Sequence, residues 1–485
     1  MTLQGKTAPG VLWSAISQWG RLGLTLLSTI ILARLLPPED FGLLAMCTVF
    51  TGLFASIGDL GLGSALVQTE ALSAEDINSA FWLSAAIGLI ACLIVAAVAP
   101  VIALFYRVGD LTPILRWLGV GLAASSLAVV HQATLTRTMD FRRIAVVELT
   151  ASFFGGVLGI ASALTGAGVY SLVVQSVATA ICATGGYWIG TPWRPAVRFA
   201  GFRQGGLLRF GRHLVGFNAV NYAARNVDYL LIGRFLGAEQ LGYYSLAYRL
   251  MMFPLQNVSA VLGKVVFPAF SAIQRDDTRI REAFVRLTRY VALLTFPLML
   301  GVFVMARGLI EVVFGARWEP AVPLVRILAM VGLLQSIGTN TGTLFMSKGR
   351  TDLLFRWGVF ATAVIIAGIT LGLRGGIQGV AVGYATAYLI LFAPGIAIPF
   401  RLVGGRLADV LHAILPVFGL SAAAAACVLA SRCLQDALIS PPEGVALAIS
   451  AAVMTGGYAA LVWRFMGGTL AELRGILKSA LATFA

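Results

Sequence analysis

Within the apolar run 10–36, Gln18, Arg21, Thr25 and Ser28 form a polar stripe. Two hundred positions later, Asn218, Asn221, Arg225 and Asp228 recur at the same spacing. Steps of three, seven and ten residues put each quartet on one face of a helix. An ionisable side chain is costly in hydrocarbon and turns to a cavity or a partner. The two stripes are therefore expected to line a shared, water-filled, cationic cavity. The rival reading is a pair of interhelical hydrogen-bond seams that only hold helices together. Asp228, three residues after Arg225, has two readings of its own. It either holds the arginine in a static intrahelical salt bridge or binds a coupling cation, a proton or sodium ion.

Other polar groups inside apolar runs extend the set. Arg249 follows Tyr243, Tyr244 and Tyr248, whose rings could stack on sugars or form an interface belt. Lys264 continues a polar line with Gln256 and Asn257. Asp59, in IGDLGLGS, reads as a coupling-ion site or as a packing hydrogen bond among glycines. Glu148 is expected to pair with Arg142 or Arg143, and His131 to be a satisfied packing residue. Gln335 and Asn340 are expected to line the second half or to bond between helices. The cysteines, Cys47, Cys92, Cys182, Cys427 and Cys433, have no metal-type spacing and read as buried free thiols.

Elements that position such residues follow from composition. Apolar residues make up 59% of the chain and charged ones 12%, and the mean hydropathy is +0.88. Soluble domains have about 25% charged residues. The fold class is an all-α polytopic membrane protein without a cleaved signal peptide. At roughly 20 apolar residues per crossing, about fourteen transmembrane helices fit. They are 10–36, 40–66, 77–105, 111–136, 143–165, 168–190, 212–236, 240–270, 287–306, 320–346, 354–373, 376–400, 409–432 and 444–466. With the N-terminus in the cytoplasm, 22 Lys and Arg fall inside and 8 outside, as the positive-inside rule requires. Both termini are then cytoplasmic. Glu70, Glu75 and Asp76 dissent by lying inside. The net charge of +14 is mostly topology, with some attraction to anionic membrane lipids, and calls for no nucleic acid.

Residues 31–42, ILARLLPPEDFG, and 231–242, LIGRFLGAEQLG, explain the paired stripes. Arg34 matches Arg234, Glu39 matches Glu239 and Gly42 matches Gly242. Six helices separate the copies, so both enter the membrane in the same direction, a parallel repeat. The expected organisation is a six-helix lobe at 1–190, a cytoplasmic amphipathic linker at 191–211, a second six-helix lobe at 212–401, and an extra helix pair with its tail at 402–485.

The stretch NAVNYAARNVDYLLIGRFLGAEQLGYYSLAYRLMMFPLQ at 218–256 resembles the polysaccharide transporters of the multidrug/oligosaccharidyl-lipid/polysaccharide flippase superfamily. ILARLLPPEDFG, DLGLGSALVQ at 59–68 and TLTRTMDFRRIA at 134–145 are similar to the colanic-acid and teichuronic-acid exporter branch. The resemblance implies a flippase of the bacterial inner membrane. Its cargo would be an oligosaccharide repeat unit on a polyprenyl diphosphate, moved to the periplasmic leaflet for exopolysaccharide or O-antigen assembly. Its partners would include the polysaccharide polymerase and export machinery. Arginine suits a diphosphate because its planar fork pairs with phosphate oxygens. Arg21 and Arg225 lead as substrate-binding residues, with Asn218, Asn221, Arg249 and Lys264 beside them. No cofactor is implied beyond a coupling H+ or Na+.

Three other classes compete. A cation-coupled drug antiporter would favour carboxylates over the basic residues that predominate within these spans. A lipid-linked peptidoglycan-precursor flippase shares the same charge logic. A membrane glycan polymerase or glycosyltransferase needs an extramembrane catalytic loop, and the outer loops here are short. GxxxxGK[ST] is absent, which argues against an ATP-driven pump.

Overall fold

The structure is a computed structural model. It describes residues 4–58, 62–69, 73–196, 222, 225–272, 276–338, 341–438 and 440–469, with 471, 472 and 475. Side chains of 4–12 and 257–272, among others, lie outside that description. All the regular structure among the described residues is helical.

Eleven described stretches are long and apolar enough to cross a membrane. One of them, 351–401, is two helices, Thr351–Gly372 and Gly376–Arg401, joined by the short turn Leu373–Gly375. The other two expected crossings, 212–236 and 240–270, are described only in part. The protein is thus the all-α polytopic membrane protein that its hydropathy predicts.

Contacts divide the chain into one compact unit from Met1 to Gly242 and a second from Tyr243 to Ser479. The expected boundary was the linker at 191–211, of which 197–211 lies outside the described residues. The division falls later because helix Val227–Leu236 belongs to the first unit. A Cβ on its Gly233 would stand 2.7 Å from the Tyr106 ring and 3.2 Å from Met46.

In chain order the first unit holds α1 (Gln4–Leu35), α2 (Pro38–Gly58), α3 (Leu62–Gln68), α4 (Ala74–Tyr106), α5 (Leu111–Ser126), α6 (Val129–Arg137), α7 (Phe141–Leu164), α8 (Tyr170–Gly190) and α9 (Val227–Leu236). Then α10 (Ala238–Ala272) carries the chain onward. The repeated junction has a physical purpose here. A Cβ on Gly42 would lie 1.7 Å from the Ala238 carbonyl oxygen, and one on Gly242 would lie 1.9 Å from that of Pro38. The first turns of α2 and α10 pack backbone on backbone, which only glycine permits at both matched positions.

Of the acidic residues that dissented from the charge rule, Glu70 lies outside the described residues, and Glu75 and Asp76 have a local cause in the first turn of α4. Ser73 and Asp76 form a reciprocal capping box at the start of α4, and negative charge is favourable at a helix N-terminus. The motif around 134–145 is likewise architectural. Arg137 donates to the Leu66 and Thr69 carbonyl oxygens at the end of α3, at 3.0 and 2.5 Å. Asp140 caps α7 by accepting from the Arg143 amide at 3.2 Å. The His131 ring is fully buried among Phe81, Trp188 and Trp193. Its Nδ1 stands 2.5 Å from the Thr191 hydroxyl, which itself donates to the Tyr187 carbonyl at 3.0 Å. Nδ1 is therefore the protonated nitrogen, while Nε2 is buried with no hydrogen-bond partner among the described residues, so His131 packs among the rings but is not the satisfied residue expected. Of the thiols expected to be buried, Cys47 is, whereas Cys427 and Cys433 are exposed.

The second unit contains α11 (Asp277–Leu309), α12 (Val322–Gly338), α13 (Thr341–Ser347), α14 (Thr351–Gly372), α15 (Gly376–Arg401), α16 (Leu407–Leu438) and α17 (Glu443–Phe465). Its core is apolar, with Phe284 and Phe400 fully buried and their ring centroids 5.3 Å apart. Two arginines in this unit have acidic neighbours. Arg307 meets Glu311 at 2.7 Å and Arg432 meets Glu443 at 3.0 Å.

Candidate functional site

Of the expected site residues, Arg21 lines a polar cavity within the first unit. Arg21 sits midway along α1, a helix that packs on α7, and its side chain is 53% exposed. Opposite it, on α7, stands Glu148, 19% exposed. Arg21 Nη1 lies 3.9 Å from Glu148 Oε1. The Ser17 hydroxyl, one turn before Arg21, donates to Glu148 Oε2 at 2.5 Å. The Tyr187 hydroxyl of α8 donates to Oε1 at 3.4 Å.

The expected pairing of Glu148 with Arg142 or Arg143 is corrected. Arg143 binds Asp140 at 3.1 Å and the Gly190 carbonyl at 2.9 Å. Arg142 lies over the Trp13 ring, 5.7 Å from its centroid. Both belong to the first turn of α7, whereas Glu148 lies further along it, on the side that meets α1 and α8. Proximity in sequence was a poor guide because helix rotation decides which neighbour a side chain meets.

Arg21 and Glu148 border a cavity of about 200 Å3, with Gln132, Thr179 and Thr184 among its other polar linings. A larger cavity of about 600 Å3 shares Ser125 and Gln132 with it. An arginine, a carboxylate and several neutral donors and acceptors thus face space inside otherwise apolar helices. Such a constellation suits reversible binding of a polar or anionic group. Among the described residues no group of His, Cys, Asp and Glu could hold a metal ion.

The first stripe divides into two roles. Ser28 is buried, accepts from Gln175 Nε2 at 2.9 Å and packs on Gly156. It is a seam between helices. Arg21 and Thr25 are exposed and keep the cavity reading.

The second stripe is less regular than its spacing predicts. Arg225 is exposed, Asn226 forms a turn at φ −115°, and α9 begins at Val227. The continuous helix face expected through Arg225 and Asp228 is therefore interrupted between them. Asp228 is 4% exposed, and its Oδ1 accepts from the Tyr229 amide at 2.9 Å. Asn218, Asn221, Asp59 and the Lys264 side chain lie outside the described residues.

In the second unit Arg249 is exposed. Tyr243 and Tyr244 are buried, the first edge-on to Trp318 at 6.1 Å and the second stacked on Tyr248 at 5.9 Å. Of the three tyrosines, only Tyr248 is partly open. Gln335 donates to the Tyr384 hydroxyl at 2.8 Å, and Asn340 lies outside the described residues.

Sequence reasoning underrated Glu148, Ser17 and Tyr187 as members of this site. One signal was available: Glu148 is the only acid in the apolar stretch 141–164. Serine and tyrosine carry no comparable signal, since both are common in packed helices.

The fold is a polytopic helical bundle with a charged, polar pocket bordered by its helices. Its likeness to the solved "Lipid II flippase MurJ, inward closed conformation" has a TM-score of 0.73 at 14% identity, covering 95% of this chain and all of that one. Residues 31–323 match the polysaccharide biosynthesis protein family, and the chain is a member of it. It is 30% identical over 395 residues to the lipopolysaccharide biosynthesis protein WzxC of Escherichia coli (strain K12), covering 80% of each chain. It is also 30% identical over 302 residues to the teichuronic acid biosynthesis protein TuaB of Bacillus subtilis (strain 168), covering 62% of each. The resemblance seen in the repeated junctions thus extends over most of the chain.

Proposed function

We propose that the protein is a flippase, with no enzymatic activity. It moves polyprenyl-diphosphate-linked oligosaccharide repeat units from the cytoplasmic to the periplasmic leaflet of a bacterial inner membrane, for exopolysaccharide or O-antigen assembly. The observation that carries the reading is Arg21, half-exposed beside a polar cavity inside apolar helices, in a member of a polysaccharide biosynthesis family. A cation so placed meets the diphosphate, while neutral hydroxyls and amides meet sugar. Arg225 in the first unit and Arg249 in the second are also exposed, and each is a further candidate contact for the diphosphate. Transport proceeds by alternating access, supported by the parallel repeat. Coupling to a proton or sodium ion remains part of this reading, with Asp228 and Asp59 as its carboxylates. The polymerase and export machinery of the same polysaccharide are its expected partners.

The decisive experiment resolves lipid-linked glycan by leaflet in cells that lack the protein and any redundant transporter. Cytoplasmic-leaflet accumulation is expected, and unchanged outward transfer overturns the reading. A selective loss of peptidoglycan precursor flipping, or of drug efflux, would move the protein to one of the competing classes.

Orientation is tested separately. Both termini and 191–211 are placed in the cytoplasm by the distribution of Lys and Arg. An impermeant thiol reagent applied to intact cells should label single cysteines at 437–442 and spare those at 200–206. The reverse pattern rejects this orientation.

A further inference from the structure

Arg21 and Glu148 are held unequally. The carboxylate is fixed, with Ser17 Oγ at 2.5 Å and Tyr187 Oη at 3.4 Å. The guanidinium is 53% exposed and only reaches the carboxylate at 3.9 Å. A static structural bridge buries both ends and closes the distance. Here one end is anchored and the other is loosely held beside the 200 Å3 cavity.

An arginine inside a span is costly unless water or a counter-charge meets it. Loaded cargo brings its own diphosphate. On the empty return a resident anion can take its place. We propose that Glu148 is the displaceable counter-ion of Arg21: it parks the guanidinium when the cavity is empty and yields it to the diphosphate of the lipid-linked cargo. This rests on the flippase reading and on Arg21 as a cargo contact.

Two physical features favour the exchange. A partly exposed ion pair is worth only about 0.2–1 kcal/mol, so the exchange is shallow in both directions. A diphosphate also offers the guanidinium a bidentate partner, which a carboxylate oxygen at 3.9 Å does not. When Arg21 leaves, the Ser17 and Tyr187 hydroxyls still donate to Glu148, so the carboxylate keeps two hydrogen-bond donors. Glu148 is thus a positioning residue that acts through Arg21.

The test uses the full-length protein in lipid nanodiscs, with farnesyl diphosphate as the binding probe. Glu148→Gln keeps the shape of the side chain and removes its charge. It should bind the probe roughly two- to fivefold more tightly, the factor that a partly exposed ion pair allows. In proteoliposomes supplied with a polyprenyl-diphosphate-linked oligosaccharide, the same variant should lower both KM and maximal rate. In an Arg21→Ala background, Glu148→Gln should leave probe affinity unchanged. Glu148→Asp should return affinity towards wild type.

Unchanged or weaker probe binding by a folded Glu148→Gln variant overturns the exchange. So does equal tightening when Arg21 is absent. Failure of Glu148→Gln to accumulate, while Arg21→Gln accumulates normally, marks the carboxylate as structural and also overturns it. Wild-type binding that does not depend on Arg21 removes that residue as a cargo contact and takes the exchange with it. Wild-type binding that depends on Arg21 but ignores Glu148→Gln rejects the exchange alone.

Discussion

The two compact units border space of opposite character. In the first unit, a 200 Å3 cavity carries Arg21, Glu148, Gln132 and several hydroxyls. In the second, a cavity of about 510 Å3 is lined by Phe296, Leu333, Leu411, Leu415 and Phe418, among other apolar side chains. Both copies of the repeated junction, 31–42 and 231–242, fall in the first unit, and of these two cavities only that unit's carries charge. A repeat fixes where helices enter and turn, because those positions depend on backbone geometry. It leaves lining residues free to diverge, since a cavity wall tolerates substitution more readily than a backbone contact does. Glycines show the same contrast. Gly42 and Gly242 join the two copies of the repeat in the first unit. In the second unit Gly368, Gly372, Gly379 and Gly383 join α14 to α15 within one hairpin, with backbone atoms 2.0–2.5 Å from each added Cβ.

If chemistry is concentrated in the first unit, the largest functional loss should follow Arg21→Ala. Transport should fall at least about tenfold, equivalent to about 1.4 kcal/mol, with normal amounts of folded protein in the membrane. Arg21→Lys should keep part of the activity, because the charge survives without the bidentate fork. Arg225→Ala is expected to act in the same direction. Full transport by Arg21→Ala would break the comparison at its strongest point.

Next in size is Gly42→Ala. The new methyl would meet the Ala238 carbonyl at 1.7 Å, so the two first turns must separate. Overpacking of this kind costs roughly 1–3 kcal/mol. A lower melting temperature and reduced transport are expected together. Gly23→Ala, with nothing within 4 Å of the added Cβ, should change either by little, within about 0.5 kcal/mol. Equal behaviour of the two variants would show that the repeated glycine contact has no structural weight.

The smallest effect should come from Gln335→Leu in the second unit. It removes the 2.8 Å hydrogen bond to Tyr384, worth about 0.5–1.5 kcal/mol. Melting should shift slightly and the KM for lipid-linked glycan should stay at its wild-type value. A raised KM would extend the polar pathway into the second unit and sharpen where the division lies.

Much of the architecture was legible in the sequence. Apolar run length specifies a crossing because hydrocarbon accepts only backbone whose hydrogen bonds close within the segment. The matched junctions, with Gly42 against Gly242, announced the parallel repeat. Arg21 stood out because charge is rare and costly in such a run. The partner of Arg21 was hidden. Glu148 lies 127 positions further on, and Gln175, which binds Ser28, lies 147 positions from it. Hydropathy is a property of neighbours along the chain. A pairing between spans depends on each helix's rotation and on which helices adjoin, and both are decided by packing of the whole bundle. The interruption at Asn226 was hidden for the same reason: residue spacing implies a single face only while the helix stays regular. Sequence alone therefore determined that charge enters the membrane and at which positions. The tertiary structure decided that Arg21 has an anchored carboxylate beside it, because only packing brings α1, α7 and α8 together around one pocket.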